Sequence, residues 1–219
     1  PAAFYGVNSE VLGSGGDDLA SKQEITAYYA RVMEKLCATG RVRFLPQCEY
    51  EGKGRVRSLA DGAVYAVKAR RKTVDGTYSD VTVPSTAPPA YGVDPDIRLV
   101  PVNDLPGNLQ GWDGYTVIGA GKTGMDAVLY LLGQGVGPED VRWIVSSDPW
   151  MIDRRSFLHP GTVHKELPSQ LGEVLASDDA EDLFRRFEAK GWFFRLDPAV
   201  RPGRFRYATV NGEELAQLR

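Results

Sequence analysis

Three glycines, Gly119, Gly121 and Gly124, carry the clearest chemical possibility in this chain. The apolar run Tyr115-Thr-Val-Ile118 leads into them, and Met125, Ala127, Val128, Leu129, Leu131 and Leu132 continue behind them at the density of a buried helix. A strand that turns sharply into a helix through Gly-x-Gly-x-x-Gly makes an anion cradle, because unpaired N–H groups and the positive end of the helix dipole meet at one point. The first glycine permits the tight turn, the second lets the backbone approach a pyrophosphate, and the third lets helix and strand pack. Gly119, Ala120, Gly121, Lys122, Thr123 and Gly124 are therefore candidate contacts for a dinucleotide. Gly121-Lys122-Thr123 also looks like the end of a triphosphate-binding loop. That loop needs another glycine five positions earlier, where Thr116 stands.

A second strand, Val141-Arg-Trp-Ile-Val145, follows at the interval expected of a βαβ unit. In such units the residues after this strand meet the adenosine ribose: an acidic side chain bonds its hydroxyls, and an arginine accepts a 2′-phosphate. Here they are Ser146, Ser147 and Asp148, with Arg154 and Arg155 a few positions on. The serines could donate to a 2′-phosphate that Asp148 would repel unless a cation shields it, and the arginine pair supplies that cation. The cofactor is NADP or NAD, the balance tipping to NADP. His159 and His164 lie five apart in a Pro/Gly-rich stretch without metal spacing and read as packing or surface residues. No Gly-x-Ser-x-Gly or Cys/His dyad supports covalent catalysis, and Asp126 reads as a local partner on the helix.

The elements that position these residues follow from periodicity and turn chemistry. Ser21-Lys-Gln-Glu24 is a capping box opening a helix with Ile25, Tyr28, Tyr29, Val32, Met33 and Leu36 on its apolar face, closed by Gly40. Antiparallel strands are expected over 41–45, 48–50, 55–59 and 64–72, with turns at 51–54 and 61–62. Six prolines between 84 and 106 forbid a long regular element there. Residues 146–169 read as mostly loop with a short helix near Met151, 180–190 as a helix, 192–196 as a buried strand and 197–203 as a loop. The fold class is α/β: a Rossmann-like nucleotide-binding domain over 21–219, with a β-rich insertion over 41–83 and the βαβ unit over 114–150. Residues 1–20, which include Gly13-Ser-Gly-Gly16, read as a flexible linker or stump.

At 219 residues the chain has room for one large or two small cores. A net charge of −3 gives no electrostatic reason to expect nucleic acid as a partner. No apolar run approaches the roughly 20 residues of a membrane span. The two cysteines, Cys37 and Cys48, read as core thiols in a reducing cytoplasm. The start at Pro1, without methionine, reads as a fragment or a processed chain.

On these motifs, with Ala3-Phe-Tyr-Gly-Val-Asn-Ser9, Val83-Pro-Ser-Thr86 and Val100-Pro-Val-Asn-Asp-Leu105, the chain resembles the nicotinamide-nucleotide half of two-dinucleotide-domain flavoproteins, the flavin-containing-monooxygenase-like oxidoreductases. The resemblance implies a nicotinamide domain set within an FAD domain, with hydride passing from nicotinamide to flavin. The FAD-binding glycine motif has no counterpart here, since Gly13-Ser-Gly-Gly16 lacks both strand and helix; FAD is expected only in a complete protein that supplies the missing FAD domain. The aromatic-glycine-histidine monooxygenase fingerprint is also absent between Pro84 and Leu105. The other class of function these residues allow is a non-catalytic nucleotide-binding or sensor module. No catalytic residue and no substrate are indicated.

Overall fold

The computed structural model describes residues 5–7, 9–13, 18–76, 82–158 and 160–219. The chain divides into two compact units, Ser21–Ala87 and the combination of Pro1–Ala20 with Pro88–Arg219. The N-terminal helix thus belongs with the β-rich segment. Leu12, in the stretch read as a stump, is buried. Residues 14–17 of the glycine-rich stretch lie outside the described residues.

In the smaller unit, α1 (Lys22–Ala38) starts at the expected capping box: the Glu24 N–H donates to Ser21 Oγ at 3.2 Å and the Ser21 N–H to Glu24 Oε2 at 2.7 Å. Tyr28 and Val32, one turn apart, are its buried residues. Strands β1 (Cys48–Gly52), β2 (Arg55–Ser58) and β3 (Val64–Ala66) form an antiparallel meander. The β1–β2 turn places Lys53 and Gly54 at φ of 50° and 78°, as a tight hairpin demands. Two expectations are corrected. Residues 41–45 form no strand; Pro46 offers no N–H, and Gln47 turns at φ 52°. The third strand stops at Ala66, before the cations Lys68, Arg70, Arg71 and Lys72. Cys37 and Cys48 are half-buried free thiols, not core residues.

The larger unit is mixed α/β. Strand β4 (Tyr115–Ile118), helix α2 (Lys122–Gly133) and strand β5 (Val141–Ile144) make the expected βαβ unit, the strands parallel and in register from Tyr115 opposite Val141 to Ile118 opposite Ile144. A separate three-stranded sheet has β6 (Pro149–Asp153) in its centre, antiparallel to β7 (Phe193–Phe194) and parallel to β8 (Arg204–Val210). Helices α3 (Arg154–Leu158), α4 (Pro160–Ala176), α5 (Ala180–Ala189) and α6 (Gly212–Leu218) complete the unit. The loop expected over 146–169 is corrected accordingly. Four successive residues of β6 are buried, so it lacks the alternation that marks a half-exposed strand. In α4, Pro160 sits in the first turn, where its missing N–H removes no helical bond.

Among the described residues, two cores hold this unit. The aliphatic one joins Val117, Met125, Val128 and Leu131 of the βαβ unit to Met151, Ala208, Val210 and Leu215. The aromatic one gathers Trp150, Ile152, Phe187, Trp192 and Phe193, with Phe157, Leu183 and Phe184 packed against it. Met151 and Trp150, neighbours on β6, face one core each, as the pleat requires.

Candidate functional site

The three glycines behave differently, and each difference has a geometric cause. Gly119 sits at φ +113°, a region that L side chains rarely adopt, and its N–H continues the ladder to the Ile144 carbonyl oxygen at 3.0 Å. A Cβ on Gly124 would stand 2.2 Å from the Gly119 carbonyl oxygen, so only glycine lets α2 approach the turn. A Cβ on Gly121 would meet nothing within 4 Å. That residue is the N-cap of α2, with φ −81° and ψ 173° and no side-chain cap bond. The start of α2 thus has no side-chain cap, and a side chain at its N-cap position would meet no protein atom at its Cβ. The Trp143 indole N–H donates to the Gly119 carbonyl oxygen at 2.9 Å and braces the turn from β5.

Lys122 pairs with Asp126 one helical turn on. Beside them Arg154 donates to Glu214 Oε1 at 2.8 Å. Glu214 also closes the capping box of α6 through the N–H of Asn211. Burial by itself would raise the Glu214 carboxyl, but the Arg154 bond, the Asn211 N–H and the charges of Lys122 and Arg154 outweigh it and hold the group below the usual glutamate range.

Arg154 and Arg155 do not flank the serines, and that expectation is corrected. Strand β6 separates them from Ser147, and five extended residues carry a chain about 16 Å. Arg154 is buried against Glu214, and Arg155 is exposed on α3. What does adjoin the end of β5 is the start of β8: Pro149 pairs with Arg204, and a Cβ on Gly203 would lie 3.6 Å from Ser147 Oγ. Ser146 is exposed and Ser147 half-buried. The Oδ2 atom of Asp148 is buried with no hydrogen-bond partner among the described residues.

Beyond Gly203 opens a cavity of about 380 Å³ that sequence reasoning missed. Trp150, Phe184 and Phe205 form its apolar lining, and Arg185, Arg201 and Arg204 stand at it. The sequence hides it because its members come from β6, α5 and β8. A bulge in β8 shapes it: Trp150 pairs with Phe205 but Met151 with Ala208, leaving Arg206 and Tyr207 outside the ladder, the latter at φ 55°. His164 is exposed on α4, while His159 lies outside the described residues. No group of side chains among the described residues could hold a metal ion, and no helix among them is long and apolar enough to cross a membrane.

The chain is 43% identical to uncharacterized proteins of Mycobacterium bovis and Mycobacterium tuberculosis over its whole length. It spans 43% of the length of those relatives. No family model and no solved structure matches it.

Proposed function

We propose that this chain is the Rossmann-like, nicotinamide-dinucleotide-binding part of an FAD-dependent oxidoreductase, with residues 119–124 as the pyrophosphate cradle. The observation that carries the reading is the open space at Gly121, at the uncapped start of a 12-residue helix. The amides of an uncapped helix start are what a pyrophosphate needs. The βαβ unit, the positive φ of Gly119 and the close approach at Gly124 support it. The bound nicotinamide would supply hydride chemistry; the protein's part is to bind and orient. Lys122, on the first turn, is paired with Asp126, so the cradle rests on the helix start and its dipole, and Ser146 and Ser147 extend the site along the end of β5. The relatives exceed the matched stretch by more than its own length, which leaves room in them for a flavin-binding part. The free thiols suit a reducing cytoplasm.

A Cβ at position 121 would meet no atom within 4 Å, so Gly121→Val is expected to fold and to place its branches where the pyrophosphate would lie. Dinucleotide affinity, measured by calorimetry on the folded variant, is expected to fall more than about tenfold through lost charge-assisted bonds. Unchanged affinity would end the reading. Flavin reduction by NAD(P)H should require added flavin-binding polypeptide; reduction of FAD bound to this chain alone would show that the chemistry is not divided as proposed.

A further inference from the structure

The cavity beside Ser147 has three properties that point to one kind of occupant. Its lining is aromatic and partly accessible: Phe205 is stacked on Phe193 at 5.7 Å between ring centroids and 9° between planes, while 44% of its own surface stays exposed. Its size, about 380 Å³, falls in the lower part of the range of about 300–1,000 Å³ for small-molecule sites. Its charge is cationic, and the cations are unequally committed. Arg201 is paired with Glu181, Arg195 with Glu188 at 2.6 Å, and Arg185 with Asp182 at 3.5 Å. The Arg204 side chain makes no hydrogen bond or ion pair among the described residues. An apolar ring face beside an uncommitted guanidinium suits a planar base that carries a phosphate.

Position narrows this further. Gly119 is bonded to the last residue of β5, the loop of residues 145–148 leads away from it, and Ser147 of that loop abuts Gly203. The cavity is thus joined to the phosphate turn by a four-residue loop, and in a nucleotide-binding βαβ unit the residues after the second strand are those that meet the adenosine ribose. We propose that this cavity receives the adenosine end of the dinucleotide, with the base against Phe205 and Trp150 and Arg204 reading a phosphate on the ribose. The inference rests on residues 119–124 being the pyrophosphate cradle. It moves the phosphate-reading charge from the Arg154–Arg155 pair to the start of β8 and favours NADP. Asp148, which would repel that phosphate, turns its Oδ2 into the protein, away from solvent.

The test compares NADP and NAD binding by calorimetry to the chain and to its Arg204→Ala, Arg204→Lys and Gly121→Val variants. Arg204 is exposed, so its substitution leaves the fold intact, and circular dichroism checks this. Arg204→Ala should weaken NADP about 10- to 100-fold while changing NAD less than about threefold. Arg204→Lys should restore part of the loss, and added salt should shrink it. If Gly121→Val abolishes binding of both nucleotides but Arg204→Ala changes neither, or both equally, the adenosine assignment is overturned and the cradle stands. If Gly121→Val changes nothing, or the parent chain binds neither nucleotide, both fall. Competition by 2′,5′-adenosine bisphosphate, which lacks the nicotinamide, is expected to show the same dependence on Arg204; competition independent of Arg204 overturns the assignment.

Discussion

The glycine-rich turn and the aromatic cavity lie at opposite ends of one short loop, residues 145–148, and are built by opposite means. The turn is made of backbone. Its shape depends on side chains that are absent, at Gly119 and Gly124, and on an aliphatic core of Val117, Met125, Val128 and Leu131 that locks helix to strand. The cavity is made of side chains. Its lining rings belong to or abut an aromatic cluster whose members meet at 39–84° as well as in parallel, and tilted rings leave space that branched aliphatics would fill. A backbone site is rigid and indifferent to most substitutions around it. A side-chain site can be retuned one residue at a time.

The comparison is broken most forcefully at Phe193, which touches Trp150, Phe157, Phe184, Phe187 and Phe205. Phe193→Ala should cost about 3–5 kcal/mol in urea unfolding by the loss of a buried ring. If the two regions are independent, the surviving folded fraction keeps its affinity for inorganic pyrophosphate at residues 119–124. Loss of that affinity in the folded fraction would show one cooperative site.

The charge cluster beside the turn sharpens the contrast. Glu214→Gln leaves Arg154, its side chain 11% exposed, without a countercharge and should destabilise the chain by about 2–3 kcal/mol at neutral pH. The folded Glu214 carboxyl is held below its ordinary value, so its contribution is present above that ordinary value and is lost as pH falls through the lower, folded one. Urea titrations at successively lower pH should therefore bring the native chain and the variant together. A gap that persists on acidification would place the effect in packing and not in charge.

Gly124→Ala sets a Cβ 2.2 Å from the Gly119 carbonyl oxygen, a backbone atom, so helix and turn must move apart at a cost of about 1–3 kcal/mol. It should also weaken dinucleotide binding more than Phe193→Ala does in the folded fraction, since it moves the amides themselves. Calorimetry beside thermal melting separates the two quantities; the reverse order would mean that the cavity and not the turn dominates binding.

What the sequence disclosed follows the same division. The βαβ unit, the Ser21–Glu24 box, the hairpin at Lys53-Gly54 and helix α5 were legible because each rests on local chemistry: a glycine where a turn needs one, a cap three residues from its partner, a helical period. The centre of the second sheet was not. Strand β6 is buried on both faces and shows no alternation, and the bulge at Arg206 and Tyr207 interrupts the pattern of β8. The Arg154–Arg155 pair misled because nearness in sequence stood in for nearness in space, and an extended strand undoes that within five residues. Arg204, some 56 positions after Asp148 in the chain, adjoins it only through the parallel pairing of β6 with β8.

The bond from the Trp143 indole to the Gly119 carbonyl oxygen gives the turn an optical property. An indole excited state is sensitive to what its N–H is bonded to and to charge placed near its ring. Gly119 cannot shift, and an anion cannot settle at the adjoining amides, without altering the surroundings of that chromophore. Occupancy of the turn can therefore be followed by the protein's own ultraviolet emission, with Trp143→Phe separating its signal from those of Trp112, Trp150 and Trp192.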